Sequence, residues 1–203
     1  DGVTYEQVAA RGKHTVLLRS DGRVVACGND NFGQCNIPAL DEGVVYTFVA
    51  AGGSHTVLLR SDGHAVACGF GECGQCTLPS LEDGTTYVQA CAGGLHTELL
   101  RSDGHVVACG SNDFGQCTLP DLGNGVTYVQ VSDGGNHSVL LLSDGTAIAC
   151  GWNDFGQCIL PAFGDGLMYI PDSTTQPDRV LQMSLDAEGQ DVNIMCRNLA
   201  GDE

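Results

Sequence analysis

The chain has 203 residues, and its 25 acidic and 8 basic side chains give it a formal net charge of −17. This charge disfavours nucleic-acid binding, because surfaces that hold phosphate backbones carry clusters of Lys and Arg. No apolar run reaches the ~18 residues of a membrane span, and no secretory leader is recognisable. The 29 glycines recur regularly among Val, Leu and Ala, which is typical of turns between strands.

The sequence repeats itself every 41 residues, with no insertion or deletion between copies. Each copy carries Gly-x-x-Tyr, one marker His, Ser-Asp-Gly and Gly-Gln-Cys in the same register. The marker residues are His14, His55, His96 and His137. A fixed period of this length indicates a repeat architecture. We therefore divide the chain into repeats 1–42, 43–83, 84–124 and 125–165.

Each repeat is predicted to be a small antiparallel sheet. In the first copy, short apolar or alternating segments without a helical period are typical of strands, and Ser20-Asp21-Gly22 is a tight turn between antiparallel strands. The expected strands cover residues 3–10, 15–19, 23–27 and 34–37. A sheet of about four short strands cannot bury its faces alone, so the copies must stack.

The run from His14 to Gly28, followed by Gly33-Gln34-Cys35, resembles the repeat of the regulator of chromosome condensation family. The likeness extends from Asp1 to about Tyr169. It implies an all-β β-propeller of four-stranded, 41-residue blades in a ring of roughly seven blades. The four full repeats are thus expected to belong to a larger or partner-capped array, or to close with residues 166–203 as a fifth blade.

The family includes exchange factors, ubiquitin-ligase modules and inhibitors, so the resemblance predicts a fold and not one activity. Exchange-factor members carry an insertion that wedges into their GTPase, and this array of strictly 41-residue copies has none. Nucleotide exchange is therefore not expected. Chromatin binding is disfavoured by the charge.

The last part of the chain departs from the repeat. Residues 166–178 begin a further copy and then become a linker rich in Pro, Ser and Thr. Residues 179–203 are predicted to form a β-hairpin that would start another module, with a faint similarity to the first hairpin of a ubiquitin-like domain.

The chain is rich in cysteine, and eight of its eleven cysteines recur in pairs at i and i+8. They replace the Trp and Leu of the family repeat: Cys27, Cys35, Cys68, Cys76, Cys109, Cys117, Cys150 and Cys158. Three readings stay open, namely a disulfide within each blade, buried free thiols, and a metal site, which the spacing favours least. Disulfides would place the protein in an oxidising lumen, whereas free thiols leave the cytosol, the nucleus or an organelle stroma open.

Two other features suggest catalysis in isolation. Cys73 and Cys76 form a Cys-x-x-Cys, but Cys73 only replaces a Phe of the other copies, and the βαβ context of a redox motif is missing. The marker histidines occur in every copy, which favours a structural role over that of a general base. We expect no catalytic residue, no cofactor and no metal.

When the four copies are aligned, the turn positions at which they differ are candidates for binding. The turns of a propeller lie on its two flat faces, where partners can reach them. Phe70 and Trp152 are large aromatic residues where the sister copies have Asn or Ser. Such residues are enriched at binding hot spots, although either ring could instead cover a neighbouring blade. The slot before the marker His varies too, through Lys13, Leu95 and Asn136. Glu98 replaces a strand Val, and its side chain is expected to reach solvent or a partner.

These features favour a non-enzymatic protein–protein interaction module, acting as a scaffold or accessory subunit of a larger assembly. Its expected partners are proteins, among them basic ones, with no nucleic acid and no membrane span. One alternative is a substrate-recognition arm of a ubiquitin-pathway protein, which the tail and the family both permit. An enzymatic alternative is thiol–disulfide exchange at Cys73 and Cys76.

Overall fold

The structure is a computed structural model that describes residues 2–81, 84–123 and 125–161. This part of the chain contains twelve β-strands and no helix. In chain order the strands are β1 Tyr5–Arg11, β2 His14–Arg19, β3 Val24–Gly28, β4 Tyr46–Ala51, β5 His55–Arg60, β6 Ala65–Gly69, β7 Tyr87–Ala92, β8 His96–Arg101, β9 Val106–Gly110, β10 Tyr128–Asp133, β11 His137–Leu142 and β12 Ala147–Gly151. The linker and hairpin predicted for residues 166–203 lie outside the described residues.

Each repeat forms one antiparallel sheet whose three strands pair in sequence order, as in β1-β2-β3. We call each sheet with its following loop a blade. The fourth strand predicted for residues 34–37 is wrong. There the chain turns back on itself, because Asn36 N–H donates to the Gly33 carbonyl and Ile37 N–H to the Cys35 carbonyl, both at 3.0 Å. These local hydrogen bonds occupy the N–H groups of Asn36 and Ile37, which a fourth strand would need in order to pair with a neighbouring strand.

The hydrophobic core lies between successive sheets. Leu58, Leu99 and Leu140 occupy the middle of the second strand of blades 2, 3 and 4 and are fully buried. Around Leu58, the side chains of Val16 and Val49 complete one cluster that joins blades 1 and 2. Successive sheets thus bury the faces that they turn toward each other, and the expected all-β array of stacked sheets is confirmed.

The first strand of each blade is the innermost, and it packs against the first strand of the next blade. The array is curved, because a side chain at the end of β1 reaches both blade 3 and blade 4. Arg11 donates from Nη1 to the Ala92 carbonyl at 3.3 Å and to the Asp133 carbonyl at 3.0 Å. The curvature therefore brings together residues that lie 122 positions apart in the chain.

The outer face of blade 1 is open within the described residues. Tyr5 is 61% exposed, whereas Tyr46, at the same position of blade 2, is 5% exposed because blade 1 covers it. Val8 is likewise exposed and its counterpart Val49 fully buried. Blade 1 thus presents to solvent the apolar surface that every later blade uses for stacking.

Candidate loop-face interaction surface

The turns of each blade lie at two opposite ends of the sheet. One end, which we call the turn face, carries the Ser-Asp-Gly turns between the second and third strands. The other end, the loop face, carries the turn before the marker His and the loop after the third strand. On this face Phe70 N–H donates to the Ser54 carbonyl and Trp152 N–H to the Asn136 carbonyl, both at 2.8 Å. The structure thus places two positions at which the copies differ side by side, namely the residue before the marker His and the residue after the third strand.

Glycine permits this close approach at the end of the third strand. Gly69 has a φ of +111°, and a Cβ there would lie 2.5 Å from the Ser54 carbonyl oxygen. Any other residue would push apart the two segments that carry the variable side chains.

Five aromatic side chains form a row on the loop face. The members of this aromatic row are Phe32, Phe70, Phe114, Trp152 and Phe155. Phe32 and Phe70 meet edge to face with ring centroids 5.0 Å apart. The Trp152 ring lies 6.1 Å from Phe114 and 5.1 Å from Phe155. Phe70 and Trp152 therefore each contact a ring of the preceding blade and are half-buried, whereas Phe32, Phe114 and Phe155 remain exposed to solvent.

Three of these rings were not singled out by the sequence reasoning. Phe32, Phe114 and Phe155 occur in three of the four copies, so a search for residues that break the repeat does not find them, yet they are 53%, 49% and 76% exposed. The signal that could have identified them is their setting, a Phe flanked by Asn, Asp and Gly in a loop. Cys73, which replaces Phe in blade 2, is exposed in the same way.

The other loop-face candidates lie at the turn before the marker His. Lys13 is exposed, Leu95 is 37% exposed and Asn136 is half-buried. Their carbonyl groups accept the backbone hydrogen bonds that start the following loops, so these side chains lie beside the aromatic row.

Acidic side chains on the two faces differ in their partners. On the turn face, Arg19 contacts Asp21 at 2.7 Å and Arg101 contacts Asp103 at 2.6 Å. On the loop face, Glu72, Asp113 and Asp154 are exposed and form no ion pair with any described residue. These three loop-face carboxylates therefore remain uncompensated among the described residues.

Glu98 does not belong to this surface, and the prediction that its side chain reaches solvent is wrong. It is fully buried in β8 beside Asp133 of β10 and Ser138 of β11. Burial, together with the Asp133 carboxylate, raises the pKa of Glu98 well above its ordinary value. As two carboxylates, the pair would lack well-formed hydrogen bonds at all four oxygens, and the ring nitrogen His96 Nε2 lies 3.5 Å from Asp133 Oδ1. A proton held by Glu98 satisfies part of this need.

Three of the marker histidines, namely His14, His55 and His96, lie between blades and not in an open cleft. The Thr56 hydroxyl donates to the Gln34 carbonyl of blade 1 at 2.7 Å, so its oxygen accepts from His14 Nε2 at 3.0 Å. His55 bonds Thr97 at 3.0 Å, and His96 bonds Ser138 at 3.2 Å. Burial lowers the pKa of His55 to about 4, which leaves its ring neutral and sealed from external substrates.

The repeat cysteines form a continuous row across the blades, and the ten described cysteines are free thiols. Cys68 faces blade 1, where its Sγ lies 3.7 Å from the Gln34 carbonyl oxygen. Burial raises the pKa of Cys68 to about 11, helped by the nearby thiols of Cys76 and Cys35. Cys68 thus has one thiol neighbour in its own blade and one in the preceding blade. A disulfide at i and i+8 is one of three readings of the sequence, and the expectation tested below is that these cysteines are free.

The described residues show little that would support catalysis. Among them, no group of three or more His, Cys, Asp or Glu side chains could hold a metal ion. Burial raises the pKa of Cys76, the opposite of what an attacking thiol needs.

No described helix is long and apolar enough to cross a membrane.

Comparison with known proteins gives a clear result for the repeats. The family model of the regulator of chromosome condensation (RCC1) repeat matches residues 6–34, 46–75, 87–116 and 128–157, which is more than half of the chain. No curated protein matches the chain.

Several solved structures share the fold. Prp20p from Saccharomyces cerevisiae is 24% identical with a TM-score of 0.66, and the match covers 94% of this chain and 50% of that chain. Human WBSCR16 is 21% identical with a TM-score of 0.65, covering 82% and 50%. The CRINKLY ectodomain of the Arabidopsis thaliana receptor kinase ACR4 is 19% identical with a TM-score of 0.58, covering 75% and 58%. The chain spans about half the length of the first two. The predicted propeller fold is confirmed.

Proposed function

The chain belongs to the regulator of chromosome condensation repeat family, and we propose that it is a non-enzymatic scaffold or accessory subunit that binds protein partners through its loop face. The aromatic row carries this proposal. Its exposed rings form an apolar strip on the end of the sheets where the copies differ most in sequence. Monomeric proteins rarely leave such a strip uncovered unless it serves an interaction.

The relatives support an interaction role in general terms. The yeast protein RCC1 (Prp20) has been crystallised with Kap60, and the structural work on Prp20p describes binding to Gsp1p and histones. Those partners belong to the yeast protein. For this chain the shared fold supports the class of function, and the loop-face side chains supply its own specificity.

A partner-capture experiment tests the proposal. The full chain is immobilised, bound proteins are cross-linked, and the cross-linked positions are mapped by mass spectrometry. Phe32→Ser and Phe155→Ser are the most informative variants, since their rings are the most exposed of the row and their loss disturbs the fold least. We expect each to reduce capture about tenfold, in line with the loss of a binding hot spot.

Val88→Ser is the matched control, because Val88 is 48% exposed, about as much as Phe114, yet lies on β7 outside the loop face. It should leave capture unchanged. Equal capture by the loop-face variants and the control would contradict the assignment of the surface. Cross-links concentrated on the turn face would do so too.

Thiol–disulfide exchange is the enzymatic alternative, and the raised pKa of Cys76 speaks against it. An insulin-reduction assay checks this with the parent chain and Cys73→Phe, which restores the residue of the sister copies. We expect no activity in either. Activity that disappears in Cys73→Phe would establish the enzyme instead.

A further inference from the structure

Acidic residues on the loop face are next to its aromatic residues in the sequence. In blades 3 and 4, Asp113 directly precedes Phe114 and Asp154 directly precedes Phe155. The Asp113 carboxylate accepts a hydrogen bond from the Ser111 hydroxyl at 3.1 Å and has no cationic neighbour among the described residues. Each exposed ring thus stands beside an exposed carboxylate that no described cation neutralises.

Within residues 2–81, 84–123 and 125–161, no cation lies beside these carboxylates. Arg19, Arg60 and Arg101 lie on the turn face, where each pairs with an Asp of its own turn. Arg11 is directed at the axis of the array. On the described loop face the remaining cation is Lys13, which belongs to blade 1, away from the rings of blades 3 and 4.

Rings and carboxylates together form a receptor for one kind of side chain. Trp152 stands between Phe114 and Phe155, with centroid distances of 6.1 and 5.1 Å. A guanidinium group stacks on aromatic faces and forms paired hydrogen bonds with a carboxylate, and it is more weakly hydrated than an ammonium group. An aliphatic side chain would leave the carboxylates unsatisfied, and an acidic one would be repelled.

Building on the proposed loop-face function, we propose that Phe114, Trp152 and Phe155, together with Asp113 and Asp154, bind an arginine side chain on an extended basic segment of a partner protein. Phe32, Phe70 and Glu72 form a similar, smaller set over blades 1 and 2. An arginine-rich segment running along the aromatic row would engage both sets. The net charge of −17 would raise its association rate, and salt would weaken this effect.

The single tryptophan provides a direct readout. Trp152 is the one Trp of the 203 residues, so a change in intrinsic emission reports contact at the proposed site without a label. The probes are three synthetic peptides of four Gly-X-Gly-Ser units, in which X is arginine, lysine or citrulline. Citrulline keeps the shape of arginine and removes its charge. Affinities are measured by fluorescence anisotropy of labelled peptides with the full chain.

We expect the arginine peptide to change Trp152 emission and to bind at least about threefold more tightly than the lysine peptide, because the guanidinium stacks on the rings. The citrulline peptide should not bind detectably. Phe155→Ser should raise the Kd about tenfold. Asp154→Asn should raise it about fivefold and reduce its dependence on salt.

Asp144→Asn is the matched control. Asp144 also lies in blade 4 and also has no ion pair among the described residues, but it belongs to the turn face, where it accepts from Thr146 N–H at 2.9 Å. Asparagine can keep that hydrogen bond. A Kd that changes equally in Asp144→Asn and Asp154→Asn would show general charge attraction and would overturn the proposal, as would equal affinity for the lysine peptide.

The outcomes separate this inference from the function on which it rests. If the arginine peptide fails to bind while a captured partner still cross-links to the loop face, the arginine assignment is wrong and the interaction surface stands. If neither the peptide nor a partner contacts the loop face, both are wrong.

Discussion

Residues that break the repeat fall into two groups in the structure. Phe70 and Trp152 lie on the loop face, where a change of side chain costs the fold little. Glu98 and Asp133 replace Val and Ala of the sister copies inside the array, where each buried carboxyl must share a proton or find a donor. A residue that breaks the repeat therefore lies in an environment that its counterparts do not share. The sequence alone does not show whether that environment is on the surface or in the core.

Glu98 should make stability depend on pH. Its pKa is raised in the folded chain, while in the unfolded chain a Glu titrates near ~4.3, so unfolding at neutral pH releases a proton. The stabilising contribution is complete below about pH 4.3 and is lost as the pH rises toward the folded pKa. We expect the free energy of unfolding, relative to Glu98→Val, to fall by up to about 1.4 kcal/mol per pH unit as the pH rises above the pKa of an unfolded Glu.

Urea unfolding of both proteins at several pH values measures this difference, which belongs to the coupled pair of Glu98 and Asp133. Glu98→Gln, which is neutral at every pH, should follow Glu98→Val in slope. Parallel curves for the wild type and Glu98→Val would show that the Glu98 pKa is not raised.

The thiols should differ in reactivity according to burial. Burial raises the pKa of Cys117 and Cys150 to about 12, whereas Cys27 and Cys73 are exposed. With iodoacetamide at pH 8 we expect Cys27 and Cys73 to be alkylated first, because the thiolate is the nucleophile. Peptide mass mapping over time gives the order.

Alkylation after denaturation without reductant counts the free thiols. We expect all eleven to react. A count of three would mean that four disulfides form, and it would reopen the oxidising compartment.

At the scale of elements, the same two hydrogen bonds join each described blade to the next. In the first, the marker His of one blade bonds a hydroxyl group of the next blade. In the second, a Tyr at the start of a blade bonds a carbonyl group of the preceding blade. Tyr46 donates its hydroxyl to the Pro38 carbonyl of the preceding blade at 2.6 Å, and Tyr87 and Tyr128 do the same with Pro79 and Pro120 at 2.9 and 2.7 Å.

These tyrosines offer a controlled test of blade stacking. Tyr87→Phe keeps the ring and removes the donor, so we expect it to lower the free energy of unfolding by about 1 kcal/mol. Tyr5→Phe is the matched control, since Tyr5 occupies the same repeat position on the open face of blade 1. It should change stability by less than about 0.5 kcal/mol. Chemical denaturation measures both, and equal effects would contradict a role of the Tyr87 hydroxyl in joining the blades.

At the scale of the whole molecule, one side chain ties the first blade to the last two. The repeat position of Arg11 is Gly in the other copies. In blade 2 a side chain would not fit there, because a Cβ at Gly52 would lie 2.3 Å from the His55 ring. Blade 1 accommodates the long side chain, which crosses to Ala92 and Asp133. The buried Arg11 and the Asp133 carboxylate also attract each other, which partly offsets the lowering of the Arg11 pKa by burial.

A double-mutant cycle tests this tie. Arg11→Met loses two hydrogen bonds from a charged donor and should lower the free energy of unfolding by about 2–3 kcal/mol. Asp133→Ala restores the residue of the sister copies. Combined with Arg11→Met it should cost less than the sum of the two changes, with a coupling energy of about 1 kcal/mol.

Arg23→Met is the control, because the Arg23 side chain is largely exposed and lies 4.0 Å from Asp21. It should change stability by less than about 0.5 kcal/mol and show no coupling to Asp133→Ala. Strict additivity of Arg11→Met and Asp133→Ala would show that the two residues act independently.

The sequence by itself determined the repeat, the three strands of each blade and the stacking of the copies. These features follow from local patterns, namely alternation along short strands, Asp-Gly turns and a fixed period. The same reasoning placed Phe70 and Trp152 in loops, and it failed at residues 34–37, where hydrogen bonds within the turn replace a strand ladder.

Only the tertiary structure decided which irregular residues meet. Arg11 and Asp133 lie 122 positions apart in the chain and become neighbours because the array curves around an axis. Glu98 is buried because the next blade covers its strand, and the rings of the aromatic row touch across blade boundaries. A repeat fixes the contacts that each copy makes with the next, but the environment of a residue that breaks it depends on all the copies packed around it.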